Sequence, residues 1–367
     1  MNDETLREPH LLPDGTDLGP LPKVSLHDHL DGGLRPQTVI ELADQDGVEI
    51  PEHDAGRLAR WFAEHADSGS LVEYLRTFDV TVSVMQTRAA LTRVAGEFVD
   101  DLVTDGVVYG EVRWAPEQHL SRGLTPDDAV DAVQEGIDAA VARAAAGGHE
   151  IRVGQLVSAL RHRPNALEAA RLAVRHRGAG VVGFDIAGPE DGFPPAGHRE
   201  AFDYLAQNLF PVTVHAGEAA GVESIRGALV DGRALRLGHG VRIAQDLGAD
   251  GATLGPAARW VRDRRVPLEL SPSSNVQTGA IAPWGASLRE HPFDSLYRQG
   301  FTVTVNTDNR LMSATTLTRE LALLAETFGY GLSDIARFQR NAAEAAFLPL
   351  PEREELARRL ASAYAAV

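Results

Sequence analysis

The chain has 367 residues, 44% of them apolar, and its 52 acidic against 35 basic side chains give a formal charge of −17. This negative charge argues against nucleic acid and anionic membrane surfaces as partners, because both attract basic patches. The chain contains no cysteine, which excludes disulfides and thiolate metal sites.

The N-terminal residues 1–8 are charged and lack an apolar stretch, so we expect that they are not a signal peptide. No segment has the length and uniform apolarity of a membrane span. We therefore expect a cytoplasmic enzyme.

Short runs rich in β-branched residues recur along the chain, separated by segments long enough for a helix. Strands are predicted near 22–29, 107–115, 151–159, 181–187, 211–216, 236–241, 267–272 and 301–307. Helices are predicted at 126–146, 166–177, 219–231 and 253–265, with the last two helices at 332–346 and 351–365. Eight strand-helix units indicate an α/β protein, a (β/α)₈ TIM barrel with its active site at the C-terminal ends of the strands. We treat residues 1–367 as a single domain.

One connection is far longer than a crossover helix needs. Residues 30–106 lie between the first two strands and contain helix-like stretches at 34–46, 56–65, 71–85 and 88–104. This insertion is either a packing embellishment or a lid whose Leu58, Trp61 and Phe62 contact a substrate. The sequence leaves both interpretations open.

Two histidines share one face of the first predicted strand. His27 and His29 alternate with the apolar Val24 and Leu26, so both imidazoles point to the same side. Two neutral imidazoles that face one space make half of a zinc site.

Three later strands end in groups that would complete this site. His215 and Asp308 lie on the polar faces of their strands, and Glu218 follows His215 by three residues. His239 has the same parity as Leu237, so the strand alternation does not settle its direction.

Each of these residues also has a structural interpretation. A lone strand histidine such as His215 is more often a hydrogen-bonded core group, and Glu218 alone would be a solvated loop acid. Asp31 and Asp308 could be helix N-caps, and Gly188 could be a turn glycine. Their shared placement at strand C-termini favours a metal site, whereas the other nine histidines and the turn at 271–275 are given no functional role.

These segments together resemble the adenosine deaminase family of zinc hydrolases, from about Leu21 to Phe347. The matching motifs follow in the family's order: Leu-His27-Asp-His29-Leu-Asp31-Gly-Gly, Leu-Val-Glu-Tyr-Leu-Arg-Thr-Phe, Phe184-Asp185-Ile186-Ala187-Gly188, His215-Ala-Gly-Glu218, Gly238-His239-Gly240 and Asn306-Thr-Asp308. Any one of them is modest evidence, but all of them in order are highly specific.

The resemblance implies a role for each site residue. One Zn²⁺ per chain would be bound by four ligands, His27, His29, His215 and Asp308. Glu218 would protonate the purine N1, and His239 would orient and help deprotonate the attacking water. Gly188 would contact the purine N3 edge through its backbone, and Asp31 would bind the ribose 5′-hydroxyl. Glu218 needs a raised pKa for its role, and the sequence leaves open whether burial or the nearby cations dominate.

One position departs from the family pattern. Family members commonly carry two successive aspartates where this chain has Asp308 and Asn309. The second aspartate contacts the purine N7 region, and an amide there can donate a hydrogen bond to N7 directly. Asn309 therefore keeps the contact while removing a charge.

The implied function is zinc-dependent hydrolytic deamination of adenosine and 2′-deoxyadenosine to inosine and 2′-deoxyinosine, with release of ammonia, in purine salvage. The substrate could instead be adenine, a nucleotide or a modified adenine nucleoside such as aminodeoxyfutalosine. Adenine-specific relatives tend to carry Glu in place of Asp31, which favours a nucleoside. A dinuclear amidohydrolase would need a lysine on the fourth strand, and 181–188 has none. A purine-binding protein without catalysis is the non-enzyme alternative, and the sequence gives no oligomeric state.

Overall fold

The computed structural model describes residues 10–248 and 253–367. Its strands are β1 Lys23–His29, β2 Val107–Trp114, β3 Arg152–Leu160, β4 Val181–Ala187, β5 Thr213–Ala216, β6 Arg236–His239, β7 Leu268–Leu270 and β8 Val303–Val305. The N-terminal residues 1–8, for which the sequence predicts no signal peptide, lie outside the described residues.

The helices fill the connections between these strands and follow the last one. They are α1 Pro36–Asp46, α2 Ala55–Ala66, α3 Leu71–Leu75, α4 Phe78–Val84, α5 Arg88–Thr104, α6 Pro126–Ala146, α7 Ala166–Arg175, α8 Arg199–Gln207, α9 Val222–Val230, α10 Pro256–Asp263, α11 Pro272–Gln277, α12 Phe293–Arg298, α13 Leu317–Phe328, α14 Leu332–Ala345 and α15 Leu350–Ala365. None of the helices in the described part of the chain combines the length and apolarity needed to cross a bilayer.

All neighbouring strands are parallel, and the sheet closes on itself. The strands pair in chain order from β1 to β4 and from β5 to β8. Short parallel bridges join these two halves, one between Phe184 and Val212 and one between Asp28 and Asp308. At the second junction the His29 amide donates a 2.8 Å hydrogen bond to the Asp308 carbonyl. The predicted TIM barrel is confirmed.

The long insertion forms α1 to α5 and leaves the C-terminal end of β1, as predicted. The predicted helix at 71–85 is instead two helices, α3 and α4, separated by a turn in which the Thr77 hydroxyl donates to the Tyr74 carbonyl at 2.7 Å. Of the two interpretations left open for Leu58, Trp61 and Phe62, the structure favours packing. Leu58 and Phe62 are fully buried in the core and Trp61 packs against that core, so α2 anchors the insertion.

Charged side chains fill the middle of the barrel, where apolar residues are usual. The Glu269 carboxylate is fully buried and forms ion pairs with Arg113 at 2.7 Å and with Arg236 at 2.6 Å. A buried carboxylate is tolerated when it is paired and hydrogen-bonded in this way. This charged layer lies directly beneath the strand ends that carry the predicted metal ligands, because Glu269 also contacts His27.

Candidate metal centre and substrate pocket

The C-terminal ends of the strands surround a cavity of about 350 Å³. It is lined by eight of the residues that the sequence predicts to be functional: His29, Asp31, Gly188, His215, Glu218, His239, Asp308 and Asn309. The ninth, His27, is completely buried among them. From the insertion, Leu71, Tyr74, Leu75 and Phe78 cover the cavity, so α3 and α4 form its roof.

Five side chains converge at the floor of this cavity. His27, His215, His239 and Asp308 each offer one ligand atom, and these atoms lie within 4.8 Å of one another. His29 joins them, with its Nε2 at 3.3 Å from both His215 Nε2 and Asp308 Oδ1. These five side chains, all among the described residues, could hold a metal ion.

The protonation of two of these histidines fits a metal ion. His27 Nδ1 lies 3.0 Å from the Glu269 carboxylate, and His215 Nδ1 lies 3.0 Å from the Asp185 carboxylate. Each Nδ1 must therefore carry the proton, which leaves a lone pair on Nε2 of the neutral ring. Burial lowers the pKa of His27 and lowers that of His215 to about 3, so both rings are neutral.

These lone pairs face other electron-rich atoms. His27 Nε2 makes no hydrogen bond although it lies 3.0 Å from Asp308 Oδ1, which has no proton to donate while it is ionised. Burial would raise the pKa of Asp308, but the neighbouring histidines hold that pKa well below its usual value. A cation between these atoms would satisfy all of them, so the donor set fits a metal.

His239 has the opposite tautomer. The Phe293 amide donates to His291 Nδ1 at 3.0 Å, so His291 Nε2 carries the proton and donates to Asn275 Oδ1 at 3.2 Å. The Asn275 amide nitrogen then donates to His239 Nδ1 at 2.9 Å. In the neutral ring the proton is therefore on Nε2, which lies 3.5 Å from Glu218 Oε2.

The backbone explains why strand alternation fails for His239. His239 has a φ of 62° and Asp308 a φ of 60°, both in the left-handed region that residues other than glycine rarely adopt. This twist at the end of the strand turns the His239 side chain into the cavity. Conformations of this kind cost of order 1–3 kcal/mol and cluster at functional sites.

Glu218 reaches the cavity through a tight turn after β5. Gly217 has a φ of 75°, and a Cβ at that position would lie 2.6 Å from the Ile225 side chain, so the turn requires glycine. Glu218 is buried, and its Oε1 has no hydrogen-bond partner. Burial, with the negative charges of Asp308 and Glu190, raises the pKa of Glu218 to about 8. Among the described residues, the effect of burial on the pKa of Glu218 therefore outweighs the opposing effect of nearby cations.

The three residues predicted to contact the substrate outside the cluster also reach the cavity. Asp31 is buried, with an unpartnered Oδ1 that lies 4.0 Å from His29 Nδ1. Asn309 is buried with an unpartnered Oδ1. Gly188 has a φ of 93°, and its backbone forms part of the cavity wall. All three residues line the cavity, and Asp31 and Asn309 each have a side-chain oxygen without a hydrogen-bond partner.

Sequence reasoning missed the residues that support the cluster. The turn at 271–275 was interpreted as structural, yet Ser274 donates to Asp308 at 2.6 Å and Asn275 contacts His239. Glu269 and Asp185 received no role, although each accepts a hydrogen bond from a histidine of the cluster. An acidic residue between two leucines in a predicted strand was the signal that could have identified Glu269.

Comparison with known proteins agrees with this geometry. The sequence model of the adenosine deaminase family matches residues 22–363. An adenosine deaminase of Mycobacteroides abscessus is 56% identical over 336 residues, which cover 90% of this chain and 92% of that protein. Adenosine deaminase 1 of Streptomyces coelicolor is 56% identical over 336 residues, covering 90% of this chain and 84% of that protein.

A solved structure is similar over nearly the whole chain. The crystal structure of Arabidopsis ADAL complexed with IMP has a TM-score of 0.80 and 26% identity, and the match covers 95% of this chain and 98% of that one. The matches in sequence and structure extend through the barrel and its insertion. The chain therefore belongs to the adenosine deaminase family.

Proposed function

We propose that the protein catalyses the hydrolytic deamination of adenosine and 2′-deoxyadenosine, releasing ammonia and the corresponding inosine nucleoside. The observation that carries this proposal is the Glu218 carboxyl, which is buried and raised in pKa, with an unpartnered oxygen beside the histidine cluster. A carboxylic acid that stays protonated near neutrality can donate to a ring nitrogen such as the purine N1. The 56% identity to proteins named adenosine deaminase supports the same reaction.

The cofactor we propose is one Zn²⁺ per chain, held by four ligands, His27, His29, His215 and Asp308. Three imidazoles and one carboxylate leave such a site with a net positive charge, and zinc accepts this donor set. When bound, the metal supplies the positive charge that makes a water molecule nucleophilic at neutral pH. Glu269 and Asp185 keep His27 and His215 in the tautomer that can ligate.

His239 is outside the proposed ligand set because its Nε2 carries the proton in the neutral ring. That N–H can donate to the attacking water and orient it towards C6. That His239 also helps to deprotonate this water stays a prediction; in this tautomer Asn275 donates to the other ring nitrogen. The neutral ring therefore has no free acceptor facing the cavity.

The remaining roles concern substrate orientation. Glu218 donates to N1, Gly188 contacts the N3 edge through its backbone, and Asn309 donates to N7. Asp31 accepts from the ribose 5′-hydroxyl, and its negative charge would repel a 5′-phosphate. The Arabidopsis relative binds IMP, so a nucleotide is the second candidate substrate. The assignment of residues 1–367 to one catalytic domain and of the protein to the cytoplasm remain predictions from sequence.

The experiment that tests this proposal is Glu218→Gln, assayed by ammonia release and by nucleoside binding. The amide cannot deliver a proton to N1, so kcat is expected to fall by about 10²–10⁴-fold, the usual contribution of general acid catalysis. The affinity for inosine and the metal content should stay close to wild type. Because the protonated carboxyl is the active form, kcat/KM of the wild type should fall as the pH rises through the raised pKa of Glu218.

A matched control is Glu290→Gln, which changes a surface carboxylate that only caps a turn at 286–287. Its kcat should equal that of the wild type. A Glu218→Gln enzyme within a few-fold of wild-type kcat would show that another group protonates the purine.

A further inference from the structure

A second acidic residue, Glu190, is buried behind the turn that carries Glu218. Glu190 follows β4 in the segment rich in proline and glycine, and only 4% of it is exposed. Its carboxylate accepts four backbone hydrogen bonds: from Gly217 at 2.6 Å, Glu218 at 3.0 Å, Ala219 at 2.6 Å and Ala220 at 2.9 Å. One side chain therefore satisfies four consecutive amides of the turn after β5.

Four amides that point at one carboxylate fix the shape of this turn. Consecutive N–H groups of this kind form a concave anion site, and hydrogen bonds to an ionised group are roughly twice as strong as neutral ones. Without Glu190 the amides of the buried residues Gly217 and Glu218 would lose their acceptor, which destabilises this arrangement of the backbone. The conformation of residues 217–220 therefore depends on Glu190.

Glu190 does not line the cavity, whereas the Glu218 side chain does. We propose that Glu190 is a positioning residue for the deamination, one that holds the Glu218 carboxyl against the purine N1 without touching the substrate. This inference rests on the proposed function of Glu218. It predicts that Glu190 contributes to the transition state more than to ground-state binding, because the N1 proton transfer is completed only during the reaction.

The variant that tests this is Glu190→Gln. The amide group has nearly the same size as the carboxylate, but its nitrogen cannot accept, so either the Gly217 contact or the three contacts to 218–220 are lost. A misplacement of about 1 Å can cost about 10²-fold in rate, so we expect kcat to fall by roughly 10- to 100-fold. The dissociation constant of inosine should change by less than about threefold, because Glu190 does not take part in the contacts that bind the ground state and the transition state equally.

A binding measurement separates positioning from a general loss of stability. The probe is a purine nucleoside analogue with a tetrahedral C6 hydroxyl and a proton on N1, which resembles the transition state. Its inhibition constant should rise in Glu190→Gln by the same factor as kcat falls. Glu190→Asp keeps the charge on a shorter side chain and should lie between the wild type and Glu190→Gln in both quantities.

The matched control is Asp105→Asn, at a residue that does not line the cavity. Asp105 is a buried carboxylate that accepts backbone hydrogen bonds from Leu317 at 2.7 Å and Thr318 at 3.2 Å, at the start of α13. The loss of the Asp105 carboxylate should lower the melting temperature, and we expect the same of Glu190→Gln. In Asp105→Asn, however, kcat and the affinity for the tetrahedral analogue should stay at wild-type values. Equal effects of Asp105→Asn and Glu190→Gln on kcat would overturn the proposal.

The double variant with Glu218→Gln distinguishes the two proposals. If Glu190 acts through Glu218, then Glu190→Gln should change kcat by less than about twofold in that background, because the two residues act as a unit. A full additional loss would overturn the positioning role. Near-wild-type activity of Glu218→Gln alone would instead contradict the proposed function, and it would be seen without any change at Glu190.

Discussion

At the scale of single residues, the histidines of the pocket differ by the group that binds their Nδ1. A carboxylate accepts from Nδ1 of His27 and of His215, which leaves Nε2 free to ligate. An amide donates to Nδ1 of His239, which places the proton on the nitrogen that faces the cavity. The partner of Nδ1 thus separates two proposed metal ligands, His27 and His215, from His239, the proposed donor to water.

Asn309 gives a prediction at this scale. Its side chain is buried at the cavity wall and its Oδ1 has no hydrogen-bond partner, but the atom that would donate to N7 is the amide nitrogen. If the amide nitrogen donates to N7, the wild type should prefer adenosine over 7-deazaadenosine by about 1–3 kcal/mol in kcat/KM, the cost of one unpaired buried donor. Asn309→Ala should lose most of this preference.

Asn309→Asp is the matched control for size. It restores the residue that family members commonly carry, and its preference for adenosine should depend on pH because only the protonated carboxyl can donate. Equal discrimination by the wild type and Asn309→Ala would mean that Asn309 does not read N7.

At the scale of elements, three strands deliver the proposed ligands and two others hold them. His27 and His29 lie on β1 and His215 on β5, while Asp308 follows β8. Their support comes from Asp185 on β4 and from Glu269 on β7, a strand that only β8 separates from β1. The site therefore forms only when the barrel closes between β8 and β1.

This arrangement predicts one zinc ion per chain, measured by elemental analysis of the purified protein. His215→Ala removes a ligand on β5 and should lower the zinc content well below one per chain, and its circular dichroism spectrum should keep the barrel signature. His162→Ala is the matched control, since His162 lies at the cavity wall outside the cluster. Two metals per chain, or unchanged zinc in His215→Ala, would refute the ligand assignment.

The strands and many helices of this barrel could be predicted because local sequence determines them. The helix predicted at 126–146 has its observed bounds, and the capping box between Thr125 and Asp128 starts it. The insertion helix predicted at 88–104 also has its observed bounds. No bounds were predicted for α13, although Thr316 caps its start locally; Asp105, more than 200 residues away in sequence, accepts from the Leu317 amide there as well.

The site was only partly predictable for a related reason. Motif order identified the residues of the cluster, but strand parity could not place His239, because the direction of its side chain comes from a left-handed backbone conformation. The support from Glu269, Asn275 and Glu190 depends on contacts between distant strands and loops. Residues 271–275 have the composition of an ordinary turn, so nothing local indicates their contacts with the cluster.

At the scale of the whole molecule, the net charge is −17, yet the interior of the barrel contains buried arginines that neutralise a buried carboxylate. Arg113 and Arg236 balance Glu269 beneath the cluster, and the insertion covers the cavity from above. The cavity therefore lies between a charged floor and the insertion helices α3 and α4, and Asp31 is part of its wall.

The measurement that tests this account most directly is ammonia release by the zinc-loaded wild type with adenosine, 2′-deoxyadenosine, adenine and AMP. We expect comparable kcat/KM for the two nucleosides. For adenine and AMP, kcat/KM should be lower by at least about tenfold. Adenine lacks the 5′-hydroxyl that would donate a hydrogen bond to Asp31, and AMP would place its phosphate against the Asp31 carboxylate. Release of ammonia from adenine or AMP as efficiently as from adenosine would contradict the nucleoside assignment, and no release from any of the four would contradict the deaminase function.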